Sequence, residues 1–286
     1  MPHPDPTPPR REVTGDPAAF DLKDYIEGPA AFLGGMANVV MQLSRPEVAY
    51  GVYESPVDTG RIDRHPLKRL RTTLTYLGVA TLGTEAERDA YRVAVDQVHR
   101  QVRSTQESPV SYHAMNPRLQ LWVAACLYIG WTDTWQRMHG PLDAATADAV
   151  YRHAARLATS LQVRPEMWPV DRAAFEVYWQ TELATVKVDA TIQQFLDGLI
   201  DLTMLPISVR LLFARVHRFI VTGMLPPPIR EQLGMTWSDR QQRRFDRLLR
   251  AVGRVLECMP GAVRRFPVNI YLWDLRRRLR TGRPLV

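Results

Sequence analysis

The fold is decided by a stretch near the middle of the chain, Pro117-Arg-Leu-Gln-Leu-Trp-Val-Ala-Ala-Cys-Leu-Tyr-Ile-Gly-Trp-Thr-Asp-Thr-Trp-Gln-Arg-Met-His139. It begins with a proline, which suits the first position of a helix, and it is followed by Gly140 and Pro141, which suit a helix end. Its apolar run, residues 119–131, is shorter than the roughly 20 residues that a helix needs to cross a bilayer. The stretch therefore predicts a long helix buried in the core.

Helical periodicity continues on both sides of this stretch, and no alternating strand pattern or repeat interrupts it. Thr84 and Glu87 predict a capping box, in which a hydroxyl and a carboxylate satisfy free amides of the first helical turn. Gly83 is expected to end the preceding helix in a left-handed conformation. Further N-caps are predicted at Asp143, Asp171 and Ser238. The predicted helices are 21–31, 32–43, 46–53, 66–81, 85–104, 117–139, 144–161, 171–185, 188–199, 207–222, 227–233, 238–258, 261–265 and 267–281. The fold class is therefore predicted to be all-α.

Length and composition predict one large helical domain. The chain has 286 residues, 45% of them hydrophobic, which is enough for a core that encloses a cavity. Residues 1–17, rich in Pro, Arg and Asp, predict a disordered arm, and residues 18–286 predict a single all-helical domain. The N-terminus has no apolar segment of the secretory type, and no run of 18 apolar residues occurs. We therefore expect a cytoplasmic protein without a transmembrane segment.

The basic residues are almost all arginine, since lysine occurs only at Lys23, Lys68 and Lys187. This usage is typical of a GC-rich genome and indicates an actinobacterial source. The net charge is +7, but basic residues are spread along many helices among acidic ones, so we expect no nucleic-acid partner. The basic run 274–283 predicts a solvated helix end, with a membrane-surface or partner contact as the alternative.

Several classes of site are excluded by motif. Cys126 and Cys258 lie in apolar helical surroundings and are expected to be buried free thiols. The chain has no CxxCH for covalent haem attachment and no cysteine cluster for zinc or an iron–sulfur centre. It also has no Gly-rich phosphate loop, GxSxG elbow, HExxH motif or paired ExxH motif of a di-iron bundle.

His99 is the most informative candidate ligand. It borders an apolar stripe of Tyr91, Val95, Val98 and Val102 on the helix predicted over 85–104. A neutral imidazole directed into an apolar pocket is what a haem iron requires from an axial ligand. The alternative is a histidine at the core edge that bonds to a backbone carbonyl. Spacing alone favours this alternative.

Arg69 and Thr73 are four residues apart and therefore share one face of the preceding helix. An arginine beside a pocket can pair with a carboxylate, such as a haem propionate, or polarise bound oxygen. A solvated arginine and a threonine bonded to its own helix are the alternative, which the spacing alone favours.

An ordered set of segments resembles the family of rubber oxygenases (latex clearing proteins) and MpaB-like oxygenases. Order and spacing carry this resemblance, because no single segment is diagnostic. The segments are 36–52, 66–73 with the ending 81–84, 98–103, 116–127, 139–142, 168–179 and 223–234.

The resemblance implies an all-helical fold that encloses a non-covalent haem b. By this resemblance His99 matches the proximal iron ligand, Arg69 the pocket arginine and Thr73 the threonine four residues further on. Members of known chemistry cleave carbon–carbon double bonds of isoprenoids with dioxygen. A long apolar tunnel would suit such substrates, and we expect Leu121, Trp122, Ile129 and Phe213 to line it.

Three positions depart from the family pattern. Many relatives carry a histidine where this chain has Arg45, and another where it has Ala124. The loss of either histidine bears on the acid–base chemistry and on the substrate. The distal lysine of rubber oxygenases corresponds to Thr72, so a closed state with lysine on the iron is not expected.

The leading hypothesis is a haem b-dependent oxygenase that acts on a small apolar substrate, isoprenoid or lipid-like, with dioxygen. In it His99 binds the iron, and Arg69 and Thr73 bind the cofactor and support catalysis. One alternative is a helical haem- or ligand-binding protein without turnover, acting as a carrier or sensor. Another is a purely structural helical protein. The sequence leaves the oligomeric state open, with a homo-oligomer among the options.

Overall fold

Helices make up the regular secondary structure of the computed structural model, which describes residues 20–57 and 61–286. Within these residues the only β-type pairing is an isolated antiparallel bridge between Arg103 and His113. The helices are α1 (Gly28–Leu43), α2 (Pro46–Tyr53), α3 (Pro66–Leu82), α4 (Glu85–His99), α5 (Pro117–His139), α6 (Ala144–Ala154), α7 (Arg156–Thr159), α8 (Arg172–Leu183), α9 (Ala190–Ile200), α10 (Ile207–Met224), α11 (Pro227–Gln232), α12 (Asp239–Glu257), α13 (Gly261–Arg264) and α14 (Val268–Thr281). The predicted all-α fold is confirmed. The predicted arm, 1–17, lies outside the described residues.

α5 forms the centre of the core, as its sequence predicts. It packs against α1, α7 and α12. Trp122 is fully buried, stacks on Trp179 with ring centroids 5.3 Å apart, and donates from Nε1 to the carbonyl of Gln42 at 3.0 Å. Gly130 permits the close approach of α1, because a Cβ there would lie 2.2 Å from Nδ2 of Asn38.

The helix starts follow the predicted caps. Thr84 and Glu87 form the capping box of α4, and Ser238 forms another with Gln241 on α12. The side chains of Asp143 and Asp171 cap α6 and α8. These residues therefore fix four helix boundaries by satisfying the free amides of each first turn.

Four local predictions are wrong. Gly83 is extended rather than left-handed (φ −73°, ψ 156°), because the chain runs directly into the cap of α4. A Cβ at Gly83 would lie 2.5 Å from the carbonyl oxygen of Val79, so close packing favours glycine there. α4 ends at His99 instead of 104, since residues 100–103 turn into the bridge with His113. The predicted helix 144–161 is interrupted at Ala155. Cys126 is buried as predicted, whereas Cys258 is exposed just beyond α12.

α3 and α4, which carry the predicted site residues, pack against each other at one side of the core. α14 covers α3, where Val268 packs with Leu74 and Leu272 with Val79. None of the described helices has the length and apolar character needed to cross a membrane.

Candidate functional site

His99 is the last residue of α4, so its position is fixed by the end of that helix. The residue is partly exposed overall, yet its Nδ1 atom is buried and has no hydrogen-bond partner among the described residues. Burial lowers the pKa of His99 to about 4, and the positive charge of Arg69 lowers it further. A hydrogen bond with the side chain of Gln162 opposes part of this shift. At neutral pH His99 is therefore an uncharged imidazole with an unused ring nitrogen.

Arg69 lies in the first turns of α3 and is close enough to His99 to affect its charge state. Burial lowers the pKa of Arg69, and the Tyr91 phenol opposes this effect. No acidic side chain within 20–57 and 61–286 forms an ion pair with Arg69. The guanidinium therefore brings a positive charge to the site that no described carboxylate neutralises.

Arg71 adds a second uncompensated cation. Its Nη1 atom is buried and has no hydrogen-bond partner in the described part of the chain. Both Arg69 and Arg71 act electrostatically on Tyr91, although burial is the larger effect and raises the pKa of that phenol. A buried charge without a partner is costly, so this arrangement favours binding of an anion.

Two tyrosines join the helices around the site. The hydroxyl of Tyr91 on α4 donates to the carbonyl of Thr72 on α3 at 2.8 Å. The rings of Tyr91 and Tyr76 stack with centroids 6.3 Å apart, and the Tyr76 hydroxyl donates to the carbonyl of Leu157 on α7. Burial raises the pKa of both phenols, which therefore stay protonated and keep donating these bonds.

A chain of amides that the sequence analysis missed supports His99 from behind. Gln120 on α5 donates to Gln162, and Gln162 donates to Asp96, one turn before His99 on α4. The backbone amide of Gln162 in turn donates to the side chain of Gln120 at 2.9 Å. The residues are 42 positions apart in sequence, so periodicity within one helix contains no signal for this contact.

Thr73 lies one turn after Arg69 on α3, as predicted, and is partly buried. Unlike Thr72, which donates to the carbonyl of Arg69 at 3.0 Å, Thr73 makes no side-chain hydrogen bond with any described residue. Its hydroxyl is therefore available to a bound group.

The four residues expected to line a tunnel do not share one environment. Trp122 and Leu121 are buried in the core around α5, while Phe213 on α10 is 50% exposed. The departures from the family pattern also have separate roles: Arg45 pairs with Glu182 at the edge of a cleft of about 440 Å³, and Ala124 is fully buried. That cleft does not include the residues of the candidate site.

The residues present fit a haem. Unligated His99 Nδ1 and the uncompensated Arg69 and Arg71 match an iron porphyrin, which needs an axial nitrogen and carries two propionates. A porphyrin supplies four iron ligands itself, so a haem site needs no cluster of protein ligands. In agreement, no group of three or more His, Cys, Asp or Glu suited to a bare metal ion occurs within the described ranges.

Other histidines are less suited to this role. His217 on α10 places Nδ1 2.7 Å from the carbonyl oxygen of Ile200, and His139 lies between Glu27 and Glu257. His113 takes part in the bridge with Arg103 and lies close enough to His99 to lower its pKa. His99 is therefore the best candidate ligand among them.

Comparison with known proteins agrees with this region as a functional site. A family model described as ER-bound oxygenase mpaB/B'/rubber oxygenase, catalytic domain, matches residues 23–254. Two listed relatives, uncharacterised proteins of Mycobacterium tuberculosis and Mycobacterium bovis, are each 50% identical to this chain over 250 residues. These residues cover 87% of this chain and 98% of each relative. No solved structure matches the chain.

Proposed function

Because the chain belongs to the family of ER-bound oxygenase mpaB/B' and rubber oxygenase catalytic domains, we propose that it is a haem b-dependent oxygenase. Its substrate would be a small apolar molecule, isoprenoid or lipid-like, and its second substrate dioxygen. One observation carries the haem assignment: a buried, uncharged His99 with an unused ring nitrogen lies near two guanidinium groups that lack acidic partners. A bound haem would supply the activation of dioxygen.

Each site residue then has a defined task. His99 would bind the iron as a neutral imidazole, which its lowered pKa favours at every pH above about 4. Arg69 and Arg71 would bind the propionates, and Thr73 would donate its hydroxyl to a bound oxygen atom or propionate. Tyr76 and Tyr91 keep α3, α4 and α7 in register, which holds these groups in position and keeps water out.

Gln162 is a positioning residue in this scheme. It contacts both His99 and Asp96, so it restricts the rotation of the imidazole. Hydrogen bonds to the ring of a metal-binding histidine orient it and tune its basicity. We expect Gln162→Leu to shift the haem absorption maxima while the protein still binds haem.

The haem assignment is tested by the Soret band of protein expressed with haem or reconstituted with it. His99→Gly should lose the band, and added imidazole should restore it, because the free base can occupy the vacated position. The matched control His153→Gly, which removes a ring stacked on Phe20, should keep the band. An unchanged spectrum in His99→Gly would assign the iron to another residue, with His113→Gly and His217→Gly as the next variants to examine.

Catalysis is tested separately from binding. Haem-loaded protein should consume dioxygen when an apolar alkene is added, and cleavage products should carry oxygen from labelled dioxygen. A haem-loaded protein that consumes no dioxygen with a broad set of such alkenes would support the carrier or sensor instead.

A further inference from the structure

Helix α12 carries an arginine face that the proposed oxygenase site does not use. Its arginines recur every three or four residues over about 21 Å and occupy about one third of the helix circumference. They are Arg240, Arg243, Arg244, Arg247, Arg250 and Arg254. The opposite face buries Phe245, Leu249 and Leu256 in the core, so the arginines are directed outward.

The arginine face of α12 is not neutralised within the described part of the chain. None of its six guanidinium groups forms an ion pair there, while Asp246 of the same helix is engaged by Arg137 of α5. The basic C-terminal run differs in this respect: on α14, Arg276 pairs with Glu87 and Arg278 with Asp274. The α12 face is therefore the stronger candidate for an anionic partner.

The neighbouring helix α10 exposes apolar side chains. α10 packs on α12 through its C-terminal half, where the rings of Phe219 and Phe245 lie 6.1 Å apart. Its N-terminal half, the α10 tip (207–216), is mostly exposed, with Leu211 78% and Leu212 68% exposed. Ile207, Phe213 and Val216 are also exposed there.

The α10 tip is apolar on more than one side. At 100° per residue its exposed apolar side chains are distributed over more than about half of the circumference. A groove on a protein covers a single stripe of a helix, whereas a liquid apolar phase can surround it. Residues 202–230 contain no Asp or Glu, and Arg210 and Arg215 on the tip form no ion pair with any described residue.

We propose that the arginine face of α12 and the α10 tip together form a docking surface for an anionic lipid bilayer. The arginines would contact lipid phosphates, and the apolar tip would enter the interface to a shallow depth. Nucleic acid would also attract the arginines, but contact with its phosphate backbone gives no partner to the exposed leucines of the tip. Leu248 and Val255, both exposed on α12, add to the apolar character of the surface.

The proposal is tested by sedimentation with vesicles of phosphatidylcholine alone and vesicles that also contain phosphatidylglycerol. We expect binding to the anionic vesicles only, weakened by salt. Since each arginine near an anionic surface contributes about fivefold in affinity, R243Q/R244Q/R247Q should bind about 100-fold more weakly and show a reduced salt dependence. L211S/L212S should also bind more weakly while keeping the salt dependence, because it removes apolar contact only.

A control and three outcomes make the result decisive. R118Q/R152Q/R164Q removes three exposed arginines from α5, α6 and the loop before α8, and should bind as the unmodified protein does. Equal binding to both vesicle types, or an equal loss in this control, would overturn the proposal. So would preferential binding to duplex DNA, or a dimer that L211S/L212S dissociates, which would assign the tip to a second copy. The measurement does not depend on haem loading, so it stands apart from the proposed oxygenase.

Discussion

The hydroxyl of Tyr91 donates to the backbone carbonyl of Thr72 across 2.8 Å, and this bond fixes the helix of His99 against the helix of Arg69. Tyr91 is 2% exposed, so water does not compete for the bond. Its position between Arg69 and Thr73 in the packing of α3 makes it the direct link between the proposed ligand and the proposed propionate site. The relative placement of the two helices thus depends on one buried phenol.

Tyr91→Phe should destabilise the protein by about 1 kcal/mol, because it deletes one buried hydrogen bond and keeps the ring. Haem affinity should fall as well, since α3 and α4 lose register. Urea unfolding of the haem-free protein and haem titration measure the two effects. Tyr53→Phe is the matched control, because the Tyr53 ring packs edge-on against Phe195 while its hydroxyl makes no hydrogen bond with the described residues. Equal losses in both variants would contradict the special role of Tyr91.

His99 should make stability depend on pH in the haem-free protein. Its folded pKa of about 4 lies below the ordinary value of 6.5, so between these values the unfolded chain binds more protons. The stabilisation that goes with the neutral ring is complete above pH 6.5 and is lost as the pH falls toward 4. At pH 5 the loss amounts to about 2 kcal/mol.

His99→Leu removes this titration. The difference in unfolding free energy between the unmodified protein and His99→Leu should therefore shrink between pH 7 and pH 5, as measured by urea unfolding at each pH. In parallel, the histidine resonance that titrates near pH 4 should be absent from the NMR spectrum of His99→Leu. A pH-independent difference would show that His99 is solvated in the folded protein.

Local sequence predicted the helices well because each boundary has a local cause. The α5 stretch begins at Pro117 and ends at His139 as predicted, and Thr84 caps α4 through the predicted capping box. The wrong predictions depend on partners distant in the chain. α4 ends early because residue 103 pairs with His113, and Gly83 is extended because the next helix begins at once.

The candidate site divides in the same way. Arg69, Thr73 and His99 were identified by resemblance, and the structure brings Arg69 close to His99. Gln162 and Gln120 were missed because they are contacts between helices far apart in sequence. The arginine face of α12 could have been found, since its spacing of three and four residues is visible in the sequence. The charge was averaged over the chain instead of being examined helix by helix.

Arg69→Met should change stability and haem binding in opposite directions. In the haem-free protein it removes a largely buried charge that has no acidic partner, so stability should rise by up to about 1 kcal/mol. With haem, the same variant should bind more weakly, because a propionate loses its cation. Urea unfolding without haem and haem titration together test this sign reversal. Arg45→Met is the control: Arg45 pairs with Glu182, so its replacement should lower stability. A loss of stability in haem-free Arg69→Met would mean that Arg69 serves the fold and not a cofactor.

His139 should contribute stability with the opposite pH dependence. It ends α5 and bridges Glu27, at the start of α1, and Glu257, at the end of α12, with N···O distances of 3.0 and 2.9 Å. Burial alone would lower its pKa, but the hydrogen bonds with Glu27 and Glu257 outweigh burial and raise it. Arg264 lies 4.0 Å from the other Glu27 oxygen and is the remaining charged group in contact. The stabilisation is therefore complete below pH 6.5 and is lost as the pH rises through the raised pKa.

His139→Gln should cost about 1–3 kcal/mol at pH 6, because it leaves the Glu27 carboxylate, with a side chain 2% exposed, without its charged partner. The cost should decrease as the pH is raised, which urea unfolding across the pH range measures directly. His153→Gln supplies the comparison of opposite sign: burial lowers the pKa of His153, so the contribution of that ring should grow with pH. If the cost of His139→Gln stayed constant with pH, the ring would be neutral in the folded protein, and Glu27 would hold its charge through Arg264 alone.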